Sequence, residues 1–185
     1  MKKIIALALS LMLLLGCASA PAESADTDTL TMMGAFEIKY KALPEYYSLN
    51  VGSNNDMEFT ARIIPSDDSR PWMLLYIGFS DEWDGVNTLA DATEEDMAAV
   101  KDSFYEVTEL NEGDILFEDG ETGLGTKLLI ARDKDGSFAA VYAIYMSHEI
   151  EVDLYPSGEN STISDEDVNT VIAFLTDVEF IPLEK

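Results

Sequence analysis

Cysteine and histidine occur once each in these 185 residues, as Cys17 and His148. That excludes a disulfide framework and a Cys/His metal cluster, and it rests every histidine-dependent mechanism on one side chain. Basic residues are also scarce: 11 Lys and Arg stand against 36 Asp and Glu, a formal charge of −25. Such a body repels phosphate backbones and anionic lipid, so neither nucleic acid nor nucleotide is an expected partner. What the chain does have is 47% apolar residues, 10% of all residues being aromatic. That is enough for a folded core despite the charge. The length suits one domain on an allotment of about 150 residues.

The N-terminus carries an address. Lys2 and Lys3 precede a run from Ile4 to Leu15 that is apolar except for Ser10, and small residues follow. A basic start, a short apolar run and small residues make a secretory signal. The uncharged stretch continues to Ala22, but only its first part is apolar, and about 20 predominantly apolar residues are needed to span a bilayer. Leu14-Leu15-Gly16-Cys17 at the end of this run resembles the lipobox of bacterial lipoproteins. The resemblance implies a signal peptide over 1–16, diacylation of the Cys17 thiol, and an extracytoplasmic protein held to the cell membrane by its N-terminal lipid. Ordinary secretory cleavage after Ala20 or Ala22 is the competing reading, since each ends an Ala-x-Ala triplet. Two acyl chains anchor stably where one is marginal.

From Cys17 to Met33 the composition is Ala, Ser, Thr, Asp, Glu and Pro, that of a flexible tether with an r.m.s. reach of about 23 Å. Residues 34–185 are expected to form one domain, and period-2 patterns dominate it. Strands are expected at 36–40, 46–51, 58–63, 72–79, 115–117, 127–131, 138–146 and 178–181. The nearly all-apolar run Trp72 to Phe79 reads as a strand covered on both faces. Asp135-Gly136 marks a hairpin turn. Ile150, Val152 and Leu154 alternate with Glu149, Glu151 and Asp153, a strand with one wet face. Two helices are expected. Thr93 caps the first, with Met97, Val100, Lys101 and Phe104 on its stripe, and Ser164 caps the second, with Val168, Val171, Ile172 and Leu175. Strands broken by two separated helices predict an α+β fold, an antiparallel sheet with helices packed on it.

The mid-chain acid-capped helix, the strand Lys127 to Ala131 after Glu121-Thr122-Gly123, the strand Tyr142 to Tyr145 and the ending Phe174 to Phe180 together resemble small PsbP-like lipoproteins. The resemblance covers residues 36–182. It implies an α/β/α sandwich around the antiparallel sheet, a fold shared by extrinsic photosystem subunits and a Ran-binding import factor. It also implies a binding or assembly module with no common catalytic set, although fold alone does not fix function.

Candidate chemistry is sparse. Gly120 to Lys127 is glycine-rich but runs Gly-Thr-Lys, not the Gly-Lys-Ser/Thr of a phosphate loop, and Lys127 opens a strand instead of a helix. Gly78-Phe79-Ser80-Asp81-Glu82 approaches a nucleophile elbow but lacks its final Gly. Asp133-x-Asp135-Gly136 begins like a calcium loop and lacks the later ligands, so no cofactor is expected beyond weak calcium binding at acidic turns. Trp83, between Asp81 and Asp84, reads either as an exposed aromatic for a partner or as a satellite of the core. The expectation is a lipid-anchored binding or assembly module without catalytic activity. Its partner would be a cationic peptide, a protein or another envelope component. The alternative is a small envelope hydrolase using His148 or a carboxylate pair.

Overall fold

The structure, a computed structural model, describes residues 27–32, 36–41, 43–158 and 161–182. The expected signal segment and the lipidation candidate Cys17 lie outside the described residues. In chain order the elements are β1 (Thr27–Met32), β2 (Phe36–Lys41), β3 (Tyr47–Asn54), β4 (Glu58–Pro65), β5 (Trp72–Phe79), α1 (Glu94–Thr108), β6 (Ile115–Glu121), β7 (Lys127–Asp133), β8 (Ala139–Tyr145), β9 (His148–Tyr155), α2 (Asp165–Thr176) and β10 (Glu179–Pro182).

Seven strands form one antiparallel sheet in the order β3-β4-β5-β9-β8-β7-β6. A second sheet has the order β1-β2-β10, also antiparallel. The expected mixed α+β architecture with an antiparallel sheet is therefore present. The pleat sends alternate residues to opposite faces, and each face meets a helix. On one face Phe59, Ile63, Leu75, Val141 and Val152 pack with Val168 and Val171 of α2, and Ile38 and Tyr40 of β2 join them. On the other, Leu129, Ala131, Tyr142 and Ile144 pack with Val100 and Phe104 of α1.

Both helices begin with the same reciprocal cap. Thr93 Oγ1 accepts from the Asp96 N–H, and Asp96 Oδ2 accepts from the Thr93 N–H at 2.8 Å. Ser164 and Asp167 repeat this geometry, with the return bond at 2.9 Å. Each cap satisfies orphan donors at a helix start, so Thr93 and Ser164 set where the helices begin.

One expectation changes. The stretch 17–33 read as a tether contains β1, which pairs along its length with β2 from Thr27 opposite Lys41 to Met32 opposite Phe36. Thr27, Thr29 and Thr31 fall at period 2, and β-branched threonine fits a pleated strand even where overall composition is polar. The edges of the large sheet are unlike each other. β3 slips register between Val51 and Asn54, whereas β6 stays in register with β7 throughout.

Candidate functional site

β9 lies inside the sheet, with β5 on one side and β8 on the other. The positions expected to form its wet face are Glu149, Glu151 and Asp153, and the structure corrects that reading. Glu151 is 3% exposed and Asp153 5%. The reason lies in the neighbouring strands. Tyr76 of β5 and Tyr142 of β8 stand on either side of Glu151. Leu74 and Ala140 flank Asp153, while Gly78 and Ile144 flank Glu149. A carboxylate between two tyrosines and beside aliphatic neighbours has little access to water.

Two hydrogen bonds organise this row. Trp83 Nε1 donates to Glu149 Oε1 at 2.6 Å. Tyr155 donates its hydroxyl to Asp153 Oδ2 at 3.3 Å, and the Tyr155 ring stacks on Trp72 with centroids 4.4 Å apart. Glu151 and Asp153 lie two positions apart on the same face of β9. No N–H or O–H of the described residues reaches Glu151 Oε1 or Asp153 Oδ1. Arg62, in register with Leu74 across β4, places its guanidinium over the Trp72 ring at 5.7 Å.

Ionised carboxylates only accept, so two of them side by side need a donor that the surroundings do not supply. A proton retained by one carboxyl meets that need. Burial drives the Glu151 carboxyl well above the usual range, and the neighbouring Asp153 charge adds to it. Burial raises Asp153 to about 6 against the hydrogen bonds from Glu151 and Tyr155, which pull it down. Burial also raises Glu149, opposed by the hydrogen bond from Trp83. Tyr76 is pushed up to about 12 by burial and then by the Glu149 charge. The arrangement is a buried pair of acids whose charged forms burial disfavours, closed off by its own neighbours.

The residues singled out in the sequence land in different places. Trp83 is 4% exposed, so its indole belongs to the core on the α1 side and is not displayed to a partner. Asp81 and Asp84 are exposed around it, in a 3-10 turn that Ser80 caps by accepting from the Glu82 N–H. His148 is buried at the start of β9, donating Nδ1–H to the Met146 carbonyl at 2.7 Å and packing on Phe79. Asp133, the first residue of the calcium-like turn, is committed to the hairpin itself. Its carboxylate accepts from the Ser137 N–H and hydroxyl and from the Phe138 N–H. Among the described residues no group of three or more His, Cys, Asp or Glu side chains is placed to hold a metal ion.

The β6–β7 turn is ordered by Thr122, whose hydroxyl accepts from the N–H groups of Leu124 and Thr126. Lys127 pairs with Glu121 across that turn. A cavity of about 330 Å³ lies beside it, lined mainly by Leu124, Leu128, Ile150, Leu175, Val178 and Ile181. The cavity takes in none of Trp83, His148 or the Glu151–Asp153 pair. No helix among the described residues is long and apolar enough to cross a membrane. A scan against protein-family models finds no match for this chain, and a search of curated proteins finds none either.

Proposed function

We propose that the protein is a binding or assembly module, tethered outside a bacterial cell by lipid on Cys17, that captures a cationic partner through the α1 side of its sheet. One observation carries this reading. Between Asp81 and Asp114 the chain has twelve Asp and Glu against the single Lys101. All of those acids except Asp96 and Asp114 are exposed, and the Lys101 ammonium lies 5.5 Å from the Phe117 ring centroid. A surface of one sign steers oppositely charged partners and weakens with salt. It also keeps the domain off an anionic lipid surface, so the acyl chains would supply the membrane attachment.

The PsbP-like α/β/α sandwich belongs to the same proposal, supported by a helix packed against each face of the antiparallel sheet. The hydrolase alternative draws less support. Glu151 and Asp153 are a carboxylate pair, but both are buried, whereas hydrolysis by paired carboxylates needs them flanking a cleft.

The test is recovery of partners from solubilised envelope by the full chain and by a Glu94→Gln, Glu95→Gln, Asp102→Asn, Glu106→Gln variant. A partner retained by the native protein, released by salt and lost by the variant is the expected result. Equal recovery by both proteins, or recovery indifferent to ionic strength, overturns the proposal.

A further inference from the structure

Three facts meet at β9. Two carboxyls that cannot donate when ionised lie side by side with oxygens that no surrounding donor reaches. They are sealed by Tyr76 and Tyr142, their register neighbours across Glu151. The adjoining Glu149 carboxylate holds Trp83, in the segment from Ser80 to Ala92 that lies against the β8–β9 turn.

Two backbone hydrogen bonds join that segment to this turn. The Met146 N–H donates to the Asn87 carbonyl at 3.1 Å and the Ser147 N–H to the Val86 carbonyl at 2.9 Å. Both donors sit in left-handed backbone, Met146 at φ 47° and Ser147 at φ 64°, in a two-residue turn with no glycine. Non-glycine residues pay strain in that region, so the docked segment helps hold the turn.

We propose that Glu151 and Asp153 form a one-proton lock, in which a proton shared between them keeps the outer face of β9 closed and its loss in alkaline solution undocks the Trp83 segment. The charged and titratable groups facing the pair are few. Glu149 and Tyr155 face it from β9, Tyr76 from β5, Tyr142 from β8, and Arg62 and Glu58 from β4 beyond. Glu82 approaches Glu149 from the turn that carries Trp83. Arg62 is turned onto Trp72, so a second negative charge on the pair is repelled by the Glu149 carboxylate. Water entering over β9 relieves that repulsion, and the segment it must pass is the one Glu149 holds.

Carboxyl carbon NMR on the full, unmodified chain reads the pair directly. The two carboxyls should titrate in separate steps, the later one well above the ordinary carboxylate range, and over that later step the exchange protection of the Met146 and Ser147 amides and of the Trp83 indole N–H should drop roughly tenfold. Glu151→Gln keeps a donor beside Asp153 and cannot ionise, so its protection should stay level. Both carboxyls fully ionised at about pH 6 overturns the lock. So does an alkaline loss of protection that Glu151→Gln leaves unchanged.

Discussion

The indole N–H of Trp83 donates to Glu149 at 2.6 Å across 66 residues of chain, joining the acidic turn after β5 to the middle strand of the sheet. The bond holds a loop aromatic inside the core on the α1 side and supplies a buried carboxylate with a donor. Trp83→Phe keeps most of the apolar packing and removes that donor. The expected result in urea unfolding is a loss of about 2 kcal/mol, the scale of a hydrogen bond to a charged group. The Glu149 carboxyl should shift further upward in the same variant, since the Trp83 bond is what opposes burial there.

Asp153 binds its proton more tightly in the folded protein, at about 6, than at the ordinary 3.8. Between those two pH values the folded state carries more protons than the unfolded chain, so its contribution to stability is complete below about pH 4 and falls as pH rises through about 6. The contribution lost by pH 7 is ~3 kcal/mol. Asp153→Asn should flatten this part of the stability profile, as measured by denaturant midpoints taken pH by pH. A profile that rises between pH 4 and 6, or one identical in the variant, contradicts the assignment.

Gly78 lies opposite Glu149 and directly beneath the Tyr76 side chain, where an added Cβ would fall 2.0 Å from the phenol oxygen. Gly78→Ala must therefore swing Tyr76 away from its place beside Glu151. The expected cost is ~1–3 kcal/mol, the usual range for overpacking a filled site. Increased solvent exchange at Glu151 should accompany it, whereas Gly158→Ala, whose added Cβ would meet its nearest neighbours at 3.7 Å, should leave exchange at Glu151 unchanged.

Lipid attachment is tested by mass. The mature protein should begin at Cys17 and carry two or more acyl chains, and it should partition with membranes through washes at high salt. Cys17→Ser should be recovered without acyl mass and free of the membrane. An unmodified thiol on the mature species overturns the lipoprotein proposal.

Much of this architecture was legible in local chemistry. Thr93 and Ser164 announce the two helices because a hydroxyl at the cap and an acid three residues later solve the same orphan-donor problem wherever they occur. Alternation marked β4 and β9, and an unbroken apolar run marked β5, for the same kind of reason. The acid row on β9 was not legible as buried, because a period-2 pattern tells which residues share a face and not what lies beside that face. Pairing decides the matter: Tyr142 reaches Glu151 through the β8–β9 hairpin, and Tyr76 reaches it only because β9 also pairs with β5, far back in the chain. A hint was present in the nearly unbroken apolar run of Trp72 to Phe79, since a partner of a doubly covered strand is itself drawn inward. Trp83 was ambiguous for a related reason. Its turn is polar, and the acceptor that draws it inward is 66 positions away.

The two outer strands of the large sheet bear on how crowded copies behave side by side. Unpaired strand rims invite another chain to add on, which is the route to runaway stacking. Here β3 departs from regular pairing at Val51 to Asn54, and β6 presents Glu118, Asp119 and Glu121 to solvent along its length. A neighbour approaching β6 meets like charge, and one approaching the far end of β3 finds the ladder interrupted. Molecules can therefore be crowded without zipping together, which leaves their acidic faces free for other encounters.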